Sequence, residues 1–168
     1  MTLKKWLLAL VALAVALAFW SWWSGDRQRI GRRLRGLADA IEKGPGEGQL
    51  AAALRSQEAV SYFADPFEFR ARQFDFETRD RQSLVRNVAL YRLRSERIAV
   101  QIFDRRLDLD PAARKATMVL SARFVGGLGG LGGRADEAYR FQLNWVEQAG
   151  AWKIEYVDLL AILPPGSG

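Results

Sequence analysis

The 168-residue sequence contains no histidine and no cysteine. Histidine is the commonest general base near neutral pH and the commonest metal ligand, so its absence removes both roles. Without cysteine, a zinc, copper or iron–sulfur site would need carboxylates alone, and Ser-His and Cys-His nucleophilic pairs are excluded. We therefore expect no metal and no cofactor. The lack of cysteine leaves the cellular compartment open, because cytoplasmic and exported proteins can both lack it.

The net positive charge of the chain is confined to its N-terminal end. The formal net charge is +6, and residues 1–35 carry all of it, because the 18 basic and 18 acidic residues from Gly36 onward cancel. A folded part without net charge offers no electrostatic footprint for nucleic acid, so we expect no nucleic-acid partner.

The N-terminal residues 1–26 are predicted to be an uncleaved membrane anchor. Residues 6–23 form an uncharged run of 18 residues with tryptophan at both ends, and such a helix spans about 27 Å. The alternative is a signal peptide cleaved after the Ala16-Leu17-Ala18 triplet, but cleavage there would leave a tryptophan-rich N-terminus. The arginines that follow are expected at the membrane surface, against anionic headgroups. They are Arg27, Arg29, Arg32, Arg33 and Arg35.

The sequence contains two opposing indications of the side of the membrane on which the domain lies. Five arginines after the span, against two lysines before it, favour the cytoplasm by the positive-inside rule. The short N-terminal tail with Lys4 and Lys5 is instead typical of an export signal anchor. We predict a single-pass protein of a bacterial inner membrane, with the domain on the periplasmic side.

The remaining chain predicts one α+β domain over residues 27–161 and a disordered tail over 162–168. Apolar periodicity indicates helices near 30–41, 49–63 and 79–93, with Leu50 and Leu54 of the second helix facing the core. Alternation indicates a hairpin or bent strand at 67–76 and four later strands, near 98–103, 115–125, 139–145 and 152–156. The glycine-rich segment 125–133 predicts a flexible strand connection, since it lacks the lysine and the following helix of a phosphate-binding loop.

The order of these features resembles the NTF2-like (SnoaL-like) superfamily. The resemblance is carried by the helix pair ending in Tyr62-Phe63-Ala64-Asp65, a helix opening near 79–82, long strands, and a closing strand that begins Gly150-Ala151-Trp152. It covers roughly residues 28–160 and implies three helices packed on a curved antiparallel sheet, forming a cone with an apolar pocket. It also implies that the sheet face can serve for dimerisation.

Several side chains are candidates for that pocket. They are Tyr62, Asp65, Tyr91, Arg123, Tyr139 and Asn144. Enzymes of the resembled superfamily that work without histidine use a carboxylate with tyrosine or arginine, so Asp65 is the one candidate base. The leading hypothesis is a membrane-tethered module for ligand binding or protein assembly without catalysis, whose partners are the bilayer, a small apolar ligand, and a second copy or an envelope protein. The alternative is an isomerase or hydrolase that acts on an apolar substrate with Asp65 as base.

Overall fold

The first helix of the protein continues from the apolar segment into the domain. The computed structural model describes residues 3–126 and 136–166, and in it α1 (Leu3–Ile41) is unbroken. No proline occurs before Pro45, and the glycines flanking Pro45 follow the end of the helix. The predicted anchor and the predicted first domain helix are therefore one helix, which runs across the boundary expected at residue 26.

Two further helices and six strands complete the α+β fold that the sequence predicted. They are α2 (Gln49–Ser61), β1 (Phe63–Ala71), β2 (Phe76–Thr78), α3 (Arg81–Arg94), β3 (Ala99–Asp110), β4 (Lys115–Val125), β5 (Asp136–Gln148) and β6 (Ala151–Leu163). The strands form one curved sheet in the order β2-β1-β6-β5-β4-β3. The sheet is mixed and not wholly antiparallel as expected, because β1 pairs with β6 in parallel.

Two predictions concern segments at the edge of the described chain. The disorder expected over 162–168 is wrong at its first two residues, because Ile162 and Leu163 continue β6 and pair with Tyr139 and Ala138 of β5. Most of the glycine-rich connection, residues 127–133, lies outside the described residues.

The inward face of α2 differs from the predicted one. Leu50 and Leu54 are 76% and 58% exposed, while Ala52, Ser56 and Ala59 are buried. Small side chains let two helices approach closely, so α2 packs through this face and leaves its leucines in solvent. The face with the two leucines, which was predicted to point inward, is therefore the outer one.

The part of α1 that enters the domain, residues 26–33, is fixed to the β5–β6 hairpin by polar contacts. The buried Asp26 carboxylate accepts a hydrogen bond of 3.1 Å from the Trp152 indole and another of 3.1 Å from Arg29. Arg29 also donates to the Gly150 carbonyl (2.8 Å), and Arg33 donates to the Trp152 carbonyl (3.0 Å). These bonds attach the helix to the sheet immediately after the apolar segment.

The C-terminal end of α1 is held against α3 by two cations, Arg92 and Lys43. The Arg92 guanidinium, 1% exposed, donates to the last carbonyls of α1 and its exit, residues 40–42, at 2.7–3.1 Å, and pairs with Glu47 at 2.5 Å. In return, the Lys43 ammonium donates to the carbonyls of Arg92 (2.7 Å) and Ser95 (2.6 Å). Each helix C-terminus, where carbonyls lack intrahelical partners, is thereby capped by the other segment.

Candidate functional site

A cavity of about 790 Å³ lies between the concave face of the sheet and the helices. Alternation along β4 and β5 directs Leu120, Ala122 and Phe124, and then Phe141 and Leu143, to this face. The remaining apolar wall is formed by α1, α2, the β1–β2 region, β3 and β6. It comprises Leu34, Leu37, Ala38, Ile41, Ala59, Val60, Phe63, Phe69, Ala71, Phe74, Phe76, Val100, Ile102, Ile154 and Val157, together with Leu84, Val88 and Leu90 of α3.

The polar residues of the cavity wall are concentrated on α3 and its C-terminal end. Asn87, Tyr91 and Arg94 recur at spacings of four and three, so they lie on one side of the helix, and Ser95 follows them. No aspartate or glutamate lines the cavity within the described part of the chain. Burial raises the pKa of Tyr91, and the negative charge of Glu137 raises it further.

Glu137 is a buried carboxylate on the same sheet face as Tyr139, and it was not among the residues predicted for the pocket. It accepts a hydrogen bond from the Tyr139 hydroxyl, and its register partner on β4 is the cavity residue Phe124. The Tyr139 ring lies edge-on to Phe74 and Phe124, at centroid distances of 6.1 and 6.0 Å. The alternation that directs Tyr139 and Phe141 inward also places Glu137, two residues before Tyr139, on that face, but its charge is typical of an exposed position.

Two candidates at the α2–β1 junction lie outside this cavity. Tyr62 packs on α1: the Arg33 guanidinium stands 4.4 Å from its ring centroid, and its hydroxyl occupies the space that a side chain at Gly36 would fill. Asp65 is exposed, and its backbone N–H and C=O are bonded to the Gln148 side chain. The expectation that Asp65 faces an apolar pocket is therefore wrong, and the enzyme hypothesis loses the base on which it was built.

The strand candidates divide between the two faces of the sheet. Tyr139 is on the concave face, where it supports the cavity through Phe74 and Phe124 without lining it. Arg123 and Asn144 occupy the alternate positions, on the opposite face. Arg123 lies 5.9 Å from the Phe103 ring centroid, and Asn144 accepts a hydrogen bond from Gln142 (3.2 Å). Of the six predicted pocket residues, Tyr91 alone lines the cavity.

The five arginines expected at the membrane surface also divide into two groups. Arg29 and Arg33 make the contacts to the β5–β6 hairpin described above, and Arg27 donates to the Leu107 carbonyl at 3.3 Å. These three attach α1 to the domain. Arg32 and Arg35 are exposed and remain the candidates for headgroup contact.

The described residues contain one helix, α1, that is long and apolar enough to cross a membrane. Its side chains from Ala9 to Trp20 are all exposed, including Trp20 at 73%. Elsewhere in the described ranges, no group of three or more acidic side chains is placed to hold a metal ion.

The sequence matches no family model and no curated protein, but its structure is similar to solved ones. A Novosphingobium aromaticivorans protein assigned as a scytalone dehydratase is 12% identical, with a TM-score of 0.65 over 88% of this chain and 98% of that one. A hexachlorocyclohexane dehydrochlorinase is also 12% identical, with a TM-score of 0.62 over 85% and 96%. An NTF2 design that carries five substitutions is 13% identical, with a TM-score of 0.53 over 79% of this chain and 98% of that one.

These similarities identify the fold and leave the activity open. The same fold is found in enzymes and in a Mycobacterium tuberculosis protein of unknown function, which is 15% identical with a TM-score of 0.64 over 84% of this chain and 78% of that one. The three helices, the curved six-stranded sheet and the cavity that they enclose have the predicted arrangement, apart from the parallel pairing of β1 with β6. The chain therefore has the NTF2-like cone fold, preceded by an apolar helical segment that is continuous with its first helix.

Proposed function

We propose that this protein is a membrane-tethered module that binds a small apolar molecule in its cone and does not transform it. The observation that carries the proposal is the cavity: about 790 Å³, walled by aliphatic and aromatic side chains, with no carboxylate in its described lining. Sites for small molecules typically have volumes of about 300–1,000 Å³ and a few polar groups that fix orientation. Tyr91, Asn87 and Arg94 are such groups here.

The tether is proposed to be the apolar part of α1, inserted in a bacterial inner membrane with the domain in the periplasm. The exposed Arg32 and Arg35 would then face anionic headgroups, each contributing about 1 kcal/mol near the surface. The side can be tested with a Gln57→Cys variant, because Gln57 is exposed on α2 and the chain has no other cysteine. Labelling of intact cells by a membrane-impermeant maleimide supports the periplasm, and labelling only after lysis refutes it.

The binding proposal is tested on the full chain in lipid nanodiscs. Native mass spectrometry of freshly purified protein is expected to show a co-purified small molecule. The neutral fluorophore N-phenyl-1-naphthylamine should bind the wild type beyond the background of empty nanodiscs. Ala38→Trp, which fills the cavity wall, should abolish this signal, and Ala53→Trp, on the exposed side of α2, should preserve it. An empty cavity that takes up no fluorophore would favour the assembly role, with a second copy or an envelope protein as partner.

A second candidate function is proton transfer to or from the ligand by Glu137. The observation that favours it is a buried carboxylate bonded to the Tyr139 hydroxyl and close enough to Tyr91 to raise its pKa. The co-purified molecule, incubated in D2O, would then gain carbon-bound deuterium with wild-type protein and not with Glu137→Gln. Equal isotope content with both proteins rules this function out.

A further inference from the structure

We propose that the ligand is a single-chain amphiphile with an anionic head, carboxylate or phosphate, held by Arg94 at the rim of the cavity while its tail fills the cone. This inference rests on the proposed binding function and specifies its ligand class. Arg94 carries the one formal charge in the described cavity lining. An apolar cavity whose charge sits at one edge suits a molecule with the complementary charge at one end.

The cation of Arg94 is available for such a head group. Its side chain is exposed, and no ion pair joins it to another residue in the described ranges. Arg94 also borders a small groove with Glu47 and Glu96. The Glu47 carboxylate is already bonded to the buried Arg92, at 2.5 and 3.0 Å. A guanidinium pairs with a carboxylate or a phosphate through two parallel N–H bonds, which fixes the orientation of the head.

The hydroxyl of Tyr91 provides a second contact for the head group. Tyr91 lies three residues before Arg94 and lines the cavity, so both side chains reach the same side of α3. A tyrosine hydroxyl is protonated at neutral pH, and the raised pKa of Tyr91 favours that form further, so it can donate a hydrogen bond to an anionic oxygen. The remaining wall offers apolar contact, which suits an alkyl chain.

The proposed tether would also bring the cavity close to a source of such molecules. The first cavity residue of α1, Leu34, follows the exposed Trp20 by 14 positions, which is about 21 Å along a helix. A fatty acid or a lysophospholipid leaving the bilayer surface would reach the cone over a distance comparable to its own length. The two sources share the anionic head and differ in its chemistry.

The experiment compares head groups on one tail, using the full chain in nanodiscs. Dodecanoate, dodecyl phosphate, dodecan-1-ol and dodecyltrimethylammonium compete with N-phenyl-1-naphthylamine, and native mass spectrometry counts bound molecules independently. We expect at least one of the two anions to compete about tenfold better than the alcohol and the cation, equivalent to about 1.4 kcal/mol. Preference for dodecanoate indicates a fatty acid, and preference for dodecyl phosphate indicates a phosphate-headed lipid.

Variants on α3 link this preference to Arg94. Arg94→Gln should weaken binding of the preferred anion about tenfold and leave binding of dodecan-1-ol unchanged. Arg86→Gln removes the same charge from an exposed position of the same helix outside the cavity, and it should change neither. Equal binding of all four head groups, or an anion preference that survives Arg94→Gln, overturns this inference while leaving cavity binding intact. Failure of all four molecules and of the fluorophore to bind overturns both proposals.

Discussion

Arg92 provides the sharpest test of how the cone is held together. Its guanidinium is buried between α1 and α3, where it contacts the Glu47 carboxylate and the carbonyls of residues 40–42. Arg92→Met keeps much of the buried aliphatic volume and removes every one of these hydrogen bonds. The carbonyls at the end of α1 and the carboxylate of Glu47 then lose their partner in a place that water reaches poorly.

The magnitude follows from the burial of the pair. Removing one partner of a buried ion pair typically costs about 3–5 kcal/mol, because the other charge stays behind without compensation. A whole domain has a free energy of unfolding of only about 5–15 kcal/mol. At about 2–4 °C per kcal/mol for a chain of this size, the expected decrease in the melting temperature is about 6–20 °C.

The assay is thermal unfolding of the full chain in nanodiscs, followed by tryptophan fluorescence, since Trp145 and Trp152 are buried in the domain. Arg86→Met is the matched control on the same helix, and its exposed side chain should change stability by less than about 0.5 kcal/mol. Adding Glu47→Gln to Arg92→Met should recover part of the loss, because it removes the stranded charge. A melting temperature for Arg92→Met equal to that of Arg86→Met would refute the capping role assigned to this side chain.

Three further predictions concern α1 and the cavity. Gly36→Ala should destabilise the protein by about 1–3 kcal/mol despite the better helix propensity of alanine, because a Cβ there would lie 2.9 Å from the Tyr62 ring. In a Tyr62→Ala background the same change should be neutral or stabilising. A loss of stability that persisted in that background, measured by chemical denaturation, would contradict this packing. Asp26→Ala should cost about 1–3 kcal/mol, because it leaves the Trp152 indole N–H unpaired, whereas the exposed Asp39→Ala should not be distinguishable from wild type in the same measurement. Burial and Glu137 raise the pKa of Tyr91, so the unfolded chain releases the hydroxyl proton first as the pH rises above the ordinary tyrosine value of 10.0. The free energy of unfolding should therefore decrease above that pH in wild type, and decrease less in Tyr91→Phe. Identical pH profiles of the two proteins would contradict the raised pKa of Tyr91.

The strands of the cone could be predicted because their two faces differ chemically. On β4, Leu120 and Ala122 alternate with Ser121 and Arg123, and the structure places the first pair toward the helices. That alternation also reaches Glu137, but a charged residue at an inward position does not look like core in a sequence. Its burial depends on the Tyr139 hydroxyl, which lies on the same strand face.

The side-chain contacts of the helices were harder to predict, because the contacting residues are remote from one another in the sequence. The burial of Arg92 depends on carbonyls about 50 positions earlier, and no pattern within α3 reveals them. Tyr62 was a pocket candidate because the resembled enzymes use a carboxylate with tyrosine or arginine, whereas its position depends on the missing side chain of Gly36. Asp65 was placed inside by the same analogy, and the bonds of its backbone to Gln148 hold it at the surface.

The unbroken course of α1 has a mechanical consequence for the proposed membrane protein. The helix has 39 residues, and at 1.5 Å per residue it is a rod of about 58 Å. Among the described side chains its contacts to the β5–β6 hairpin begin at Asp26, and the helix is continuous from the apolar segment to that point. If the apolar part crosses a bilayer, the tilt of this rod, typically about 20°, sets the height and direction of the cone. A thinner or thicker bilayer would then change the tilt of α1, and this change would rotate the cavity rim at Arg94 relative to the headgroups.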